Sequence, residues 1–192
     1  MRIQVTIEGT TGLLCNRFTD EAAEAATNGV RGSSAAAERG TPTEQADKCL
    51  YRGHDEKTLI IPTPNLMACI VEGGRFHKVG KGQVTTKERS MLYSCLSIEG
   101  LEVPLQHKEP WRVDTRAVRN PATKGRFNRH RPLFDDWKLQ FEMVLDTKIL
   151  GPKLMRAIVD DAGSWVGLGD FRPDRKGPFG KFVVTGWAEI EN

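Results

Sequence analysis

The residues with the most evident binding chemistry lie near the end of the chain, in the stretch GLGDFRPDRKGPFGKF over residues 167–182. Glycine and proline at this density exclude a regular helix or strand, and the charged side chains exclude complete burial. Glycine lets a backbone approach a ligand closely, and its amide can donate to a phosphate oxygen. The same pattern also fits a tight, solvated connection. The candidate ligand-binding residues of this glycine-rich loop are Gly167, Gly169, Arg172, Arg175, Lys176, Gly177 and Gly180.

A second candidate site is the basic segment over residues 106–132. It contains eight Lys or Arg residues and two acidic residues, so it carries a net charge of +6, whereas the whole chain carries +3. A turn over NPATKG would fold the segment into a hairpin with two cationic edges, which suits a phosphate backbone. The candidate contacts are Arg112, Arg116, Arg119, Lys124, Arg126, Arg129 and Arg131.

Aromatic residues are interleaved with these cations. Trp111, Phe127 and Phe134 offer rings on which unpaired bases could stack. The alternative is an arginine-rich surface hairpin whose aromatic side chains belong to the core. A third basic stretch, HKVGKGQVTTKER over residues 77–89, either lies along a phosphate backbone or is merely solvated.

Catalytic and metal chemistry have weaker support. His77 and His130 lie in basic stretches and are the candidates for a general acid or base in RNA cleavage, although such a histidine is more often a contact residue. Asp20 is a lone acid after the first predicted strand. The glycine-rich loop lacks the G-K-[ST] of a nucleotide-hydrolysing loop. We therefore expect no cofactor and no metal site, and a protein that is more a binding protein than an enzyme.

The four cysteines occur at residues 15, 49, 69 and 95, with no C-x-x-C pair. This spacing predicts buried free thiols in a reducing compartment. The N-terminus has no apolar targeting segment, and the chain has no apolar run long enough to span a membrane. We expect a soluble, cytoplasmic protein.

Strands alternating with helices must position these sites. RIQVTIEG and WKLQFEMVLD place apolar residues at every second position, which predicts strands from residues 2 and 137. TLIIP, SMLYSCLSIEG and KFVVTGWAEIE also have strand character. TPNLMACIVEGGRF and GPKLMRAIVDDAG read as helices, the second ending at Gly163. Residues 19–45 are rich in Ala, Gly and Ser and predict a flexible insertion, with a helix over DEAAEAA capped by Thr19.

This order predicts a single α+β domain over residues 1–192: a ferredoxin-like or RNA-recognition-motif-like antiparallel sheet with helices on one face. The glycine-rich loop would precede the last strand. The basic segment over 106–132 would protrude from the domain as a hairpin.

Three stretches of the chain resemble a known family. LMRAIVDDAG followed by GLGDFRPDRKGPFGKF resembles the glycine-rich loop of the repeat-associated (RAMP) superfamily of CRISPR proteins, especially the backbone subunit that coats guide RNA. RIQVTIEGTTGLLCNRF is similar to the start of such subunits and of uncharacterised phage or mobile-element proteins. RPLFDDWKLQFEMVL is similar to those uncharacterised relatives.

The resemblance implies an RNA-recognition-like sheet, a thumb formed by Arg112 to Arg131, and subunits that stack along RNA in antiviral defence. RNA-cleaving members hold a catalytic Asp near the position of Asp20, which here lacks a matching frame. The prediction is therefore a sequence-nonspecific binder of RNA or other single-stranded nucleic acid, forming a homo-oligomer or joining other CRISPR-like subunits. Two alternatives stay open: an endoribonuclease of the same superfamily, and a phage-encoded interaction protein that mimics a CRISPR effector subunit.

Overall fold

The computed structural model describes residues 1–18, 40–119 and 124–190. The helices are α1 (Pro42–Asp47), α2 (Thr63–Gly73), α3 (Leu92–Cys95) and α4 (Pro152–Asp161). The strands are β1 (Arg2–Gly9), β2 (Leu13–Leu14), β3 (Ile60–Pro62), β4 (Lys78–Val79), β5 (Gly82–Gln83), β6 (Leu96–Ile98), β7 (Glu102–Gln106), β8 (Arg112–Arg119), β9 (Arg126–Phe134), β10 (Lys138–Leu145) and β11 (Phe182–Ile190).

The alternating apolar residues of β1 and β10 build the centre of the main sheet. The two strands pair antiparallel, with Ile3 opposite Met143, Val5 opposite Phe141 and Ile7 opposite Leu139. These six side chains are all at most 5% exposed. Because side chains of a strand alternate between faces, this register puts these six side chains on one side of the sheet.

Helices α2 and α4 cover that apolar side. Leu66 and Ile70 of α2, and Met155 and Ile158 of α4, are completely buried in the same core as the sheet residues. The strand order is β11-β1-β10-β7-β3 with antiparallel pairing throughout. Helix α2 lies in the chain between β3 and the pair β6 and β7, and helix α4 lies between β10 and β11. The predicted ferredoxin-like α+β fold with helices on one face is confirmed.

The edge of the sheet beside β10 differs from the prediction. SMLYSCLSIEG begins with the helical turn α3, and only Leu96–Ile98 is a strand. Strands β6 and β7 both pair with β10, and residues 99–101 bulge out between them. Gly100 has a φ of +76°, the left-handed conformation that glycine adopts without strain, so it allows this interruption.

The basic segment forms the predicted hairpin. Strands β8 and β9 pair from Arg112 opposite Leu133 to Arg119 opposite Arg126, and β2 extends this second sheet on the other side of β9. The turn at residues 120–123 lies outside the described residues.

The insertion predicted over residues 19–45 lies mostly outside the described residues, and so does its predicted helix. Its last residues are ordered into α1, which sequence reasoning missed. Thr41 caps α1 by accepting from the Glu44 amide, and Glu44 accepts from the Thr41 amide in return. The sequence T-P-T-E over residues 41–44 is the signal for the start of this helix, because it is a capping box with proline at the first helical position.

The end of the last helix also differs. α4 ends at Asp161, and a π-helical turn continues through Gly163 to Val166, so Gly163 does not stop the helical path. A side chain at Gly163 would lie 2.2 Å from the backbone oxygen of Phe182. Gly163 therefore serves a close approach of the helical layer to β11.

All four cysteines are free and buried, as predicted. Burial raises the pKa of Cys15 to about 12 and that of Cys69 to about 12, so both thiols stay protonated at neutral pH. We expect Ellman's reagent at pH 8 to react only slowly with the folded protein. After unfolding in guanidinium it should react with all four thiols. Immediate reaction of a thiol in the folded protein would contradict this burial.

Helices long and apolar enough to cross a bilayer are absent from the described ranges 1–18, 40–119 and 124–190.

Candidate nucleic-acid interface

The hairpin β8–β9 presents two different faces because neighbouring side chains of a strand point in opposite directions. Asp114 and Arg116 lie opposite Arg131 and Arg129, and this face is directed at the glycine-rich loop. The opposite face carries Thr115, Ala117 and Arg119 paired with His130, Asn128 and Arg126. The predicted cations are thus divided between a face turned into the protein and a face turned outward.

A buried ion-pair cluster joins the hairpin to the glycine-rich loop. Arg131 is 5% exposed, and its guanidinium lies 2.7 Å from the Asp170 carboxylate and 3.7 Å from that of Asp114. Asp114 is itself 7% exposed. We name Asp114, Arg131 and Asp170 the ionic clasp. Buried charges are tolerated only when they are paired in this way.

Arg131 was predicted as a direct nucleic-acid contact, and its burial in the clasp argues against that role. A phosphate would reach the guanidinium only after displacement of a carboxylate. In this structure Arg131 positions the loop against the base of the hairpin.

Arg116 makes a second connection between the hairpin and the loop. Its guanidinium contacts Asp114 at 2.9 Å and lies 4.9 Å from the ring centre of Phe179 and 5.9 Å from that of Phe171. An arginine over an aromatic ring is stabilised by the ring's quadrupole. The cation therefore has a fixed orientation at the point where the two predicted binding segments meet.

Two further hairpin arginines already have partners, Arg112 at the surface and Arg129 in a partly buried position. Arg112 makes a bidentate contact with Asp135 at 2.6 and 2.9 Å, and this hydrogen bonding lowers the pKa of the Asp135 carboxyl. Arg129 donates to the amide oxygen of Asn16 at 2.8 Å. Exposed pairs of this kind contribute little stability, so Arg112 can exchange its partner for a phosphate at small cost.

The tip of the hairpin holds three exposed cations. Arg119, Lys124 and Arg126 are all exposed, and Nε of Arg119 donates to the Lys124 carbonyl at 3.3 Å. Phe127 beside them is 37% exposed. By contrast, Phe134 is buried and Trp111 packs against the core, so Phe127 alone of the three predicted stacking rings is offered to a ligand here.

The glycine-rich loop uses its glycines for internal packing. The amides of Gly167, Gly177 and Gly180 donate to carbonyl oxygens of Ala162, Arg172 and Gly12. These three amides therefore already have acceptors within the protein, and their predicted contact with phosphate stays a prediction. Gly167, Gly169 and Gly180 have φ values of +76°, +76° and +73°. A side chain at Gly169 would lie 2.5 Å from the Leu14 oxygen, so the loop packs directly on β2.

Gly180 gives a direct test of this packing. A methyl group there would lie 1.8 Å from the backbone oxygen of Leu168 on a backbone with positive φ. We expect Gly180→Ala to lower the free energy of unfolding by at least roughly 2 kcal/mol, since backbone strain alone costs roughly 1–3 kcal/mol. Urea unfolding measures this. Gly82→Ala, whose new methyl group meets only the Val79 oxygen at 3.8 Å, is the control and should change stability little. Equal stability of the two variants would contradict the packing role.

The cations of the loop differ in accessibility. Arg172 donates to the Gly169 carbonyl at 2.9 Å and lies 3.4 Å from Asp174, so it braces the loop internally. The Arg175 side chain is 70% exposed and lies 3.4 Å from the same carboxylate. Lys176 is exposed. Arg175 and Lys176 are thus the loop residues best placed to meet an anion.

A cavity of about 240 Å³ opens where the loop, helix α2 and the end of β2 meet. Its polar lining residues are Asn16, Tyr51, Asn65, Asp170 and Arg172. Burial raises the pKa of Tyr51, so its hydroxyl stays a neutral hydrogen-bonding group at physiological pH. Sequence reasoning missed Asn16, Tyr51 and Asn65, because they are distant in sequence and belong to no motif.

The open face of the sheet has the wrong side chains for stacking bases. The residues that β1 and β10 place there are Arg2, Gln4, Thr6, Glu8, Lys138, Gln140, Glu142 and Val144. These side chains include no aromatic ring, and opposite charges are paired, as in Lys138 with Glu8 at 3.0 Å. RNA-recognition motifs stack bases on aromatic residues of this face. These two strands therefore lack the stacking surface of an RNA-recognition motif.

The two candidate catalytic histidines have separate surroundings in the described part of the chain. His77 follows α2, with Nε2 2.9 Å from Asp161 in a geometry that makes no hydrogen bond. His130 lies on the hairpin, where Nδ1 is 2.8 Å from the Thr115 hydroxyl. Asp20 lies outside the described residues. Within the part of the chain that the structure describes, no three His, Cys, Asp or Glu side chains form a group suited to a metal ion.

Comparison with solved structures places this geometry in a known fold. The chain resembles a chain in the cryo-EM structure of the type III-B Cmr-beta bound to cognate target RNA, with a TM-score of 0.57 and 10% identity. The match covers 97% of this chain and 59% of that one, so the chain spans about three-fifths of the length of its structural relative. The likeness shows the fold. A chain of the type IV-B CRISPR complex is 14% identical over 100% of this chain and 93% of that one, with a TM-score of 0.47.

Sequence comparison adds nothing further. No protein-family model matches the chain, and no curated protein matches it.

Proposed function

We propose that the chain is a non-catalytic RNA-binding protein of the RAMP superfamily, which multimerises along a guide RNA or similar single strand as a CRISPR-backbone-like subunit. The observation that carries the proposal is the hairpin β8–β9, whose exposed tip bears Arg119, Lys124 and Arg126 while its base is joined to the glycine-rich loop by the ionic clasp. In this proposal residues 106–132 act as a thumb on a single domain over residues 1–192.

The accessible groups favour contacts with phosphate over contacts with bases. Beside the tip cations, Arg112, Arg175 and Lys176 are exposed. Arginine and lysine contacts with phosphate supply affinity without reading sequence, and they make binding strongly salt-dependent. The proposal is therefore a sequence-nonspecific binder whose affinity falls steeply as salt rises.

The experiment that tests the proposal is purification from the expression host, followed by measurement of the 260 to 280 nm absorbance ratio. Bound nucleic acid is then treated with RNase or DNase, and the protected fragments are sized. We expect RNA protected in regular length steps, one step for each subunit along the strand.

Other outcomes point to the alternatives. A monomer free of nucleic acid that also fails to bind added RNA would contradict the proposal and favour a phage-encoded interaction protein. Cleavage of added RNA by the wild type that is abolished by substitution of His77, His130 or Asp20 would favour an endoribonuclease.

A further inference from the structure

Two aromatic side chains are exposed together at the end of the helical layer, and neither belongs to the groups of the proposed interface. Phe76 is 56% exposed and Trp165 is 63% exposed. Their ring centres are 6.4 Å apart, with an angle of 43° between the planes. Large aromatic side chains contribute strongly to binding when a partner covers them, so an exposed pair is a candidate contact.

Close packing of the two helices fixes the position of this pair. A side chain at Gly73, the last residue of α2, would lie 2.8 Å from the Cβ of Ala162 and 2.7 Å from the Ile158 oxygen. Phe76 follows in a 3-10 turn over Gly74–Phe76, and Trp165 lies in the π-helical turn Ala162–Val166. Both rings therefore extend from backbone that the core holds in place.

The basic stretch that follows Phe76 supplies more positive than negative charge near the rings, although the Asp161 carboxylate also lies there, 2.9 Å from Nε2 of His77. Residues 75–89 contain five Lys or Arg and one acidic residue, Glu88. Lys78 and Lys81 lie on the small β4–β5 hairpin directly after Phe76, and both are exposed. Arg75 is 2.9 Å from Glu72, so part of its charge is already compensated. The basic stretch after α2 is thus placed beside two exposed rings.

We propose that Phe76, Trp165, Lys78 and Lys81 form a second contact for single-stranded nucleic acid, named here the aromatic platform. A base stacks on the ring of Trp165 or Phe76, while the two lysines contact neighbouring phosphates. Exposed rings combined with cations are the usual means of holding single strands without sequence preference. The ligand assignment rests on the proposed function.

The platform and the glycine-rich loop are neighbours along the chain. Only Val166 separates Trp165 from Gly167, the first residue of the glycine-rich loop. We assign nucleic acid rather than a protein partner because the excess of exposed cations matches a polyanion.

The test measures binding of a fluorescent 30-nucleotide RNA by fluorescence anisotropy at a series of salt concentrations. We expect Trp165→Ala to weaken binding about tenfold, a typical loss for one stacked base, without changing the salt dependence. Trp165→Phe keeps a ring and should retain most of the affinity. Lys78→Ala with Lys81→Ala should flatten the log-log salt slope by about 1.4, at about 0.7 for each single-strand contact.

Tyr93→Ala is the matched control, because Tyr93 is a similarly exposed aromatic residue, 65% exposed, on α3. It should bind as the wild type does. Equal affinity of Trp165→Ala and the wild type would overturn the inference and leave the proposed function intact. Loss of self-association in Trp165→Ala without loss of RNA affinity would also overturn it, in favour of a protein interface. A wild-type protein that binds no nucleic acid would instead contradict the proposed function itself.

Discussion

Arg131→Met is expected to lower the free energy of unfolding by about 3 kcal/mol, because it removes the buried cation that the two carboxylates of the ionic clasp share. Asp114 would keep only Arg116 as its cation, and Asp170 would lose its contact at 2.7 Å. For a chain of this length the melting temperature should fall by roughly 10 °C. Thermal unfolding followed by circular dichroism measures the change.

Arg126→Met is the matched control for this prediction. Arg126 lies on the same strand and is exposed, so the same substitution should change stability by less than about 0.5 kcal/mol. The double variant Asp114→Asn with Arg131→Met removes one carboxylate of the clasp together with its shared cation, and should lose less stability than the two single changes added together. An Arg131→Met protein as stable as the wild type but defective in RNA binding would contradict the clasp and restore Arg131 as a direct contact.

The second large effect is expected at the tip of the hairpin. Replacing Arg119, Lys124 and Arg126 together by Ala should weaken RNA binding about 100-fold at 0.1 M salt and flatten the log-log salt slope by about 2. Each lost phosphate contact reduces the number of counterions released on binding, at about 0.7 for each contact on a single strand. Because these side chains are exposed, the fold should be unaffected.

A control with the same change in net charge separates a local contact from a general electrostatic effect. Lys57, Lys148 and Lys153 are exposed and lie outside both the hairpin and the glycine-rich loop. Their triple replacement by Ala should change affinity much less than the tip triple does. An equal loss in both variants would mean that only total charge matters, and a loss limited to one RNA sequence would contradict nonspecific binding.

Local patterns predicted the elements of this fold well where burial has a simple period. The alternation in β1 and β10 located both strands within one residue, because a strand with one buried face must place apolar residues at every second position. Prolines and glycines located α2 and the start of α4, because proline suits the first turn of a helix and glycine suits its end. Prediction failed at α3, where a helical turn precedes three residues of strand, since so short an element has no period to detect.

The candidate site was predicted less completely than the fold. The two cationic segments were recognisable because charge density is visible in the sequence. Their division into exposed and paired residues was not visible. Arg126 and Arg131 are both arginines of β9, yet one is exposed at the tip and the other is buried between two carboxylates.

The sequence by itself determined the strand and helix pattern, the ferredoxin-like order, the buried thiols and the location of positive charge. These properties depend on residue type and on spacing over a few positions. Only the tertiary structure decided which cations a ligand can reach, because Asp114 and Asp170 are 56 residues apart and meet Arg131 only after folding. The tertiary structure likewise decided that the glycines of the loop serve internal packing, and that Phe76 and Trp165 meet at the surface.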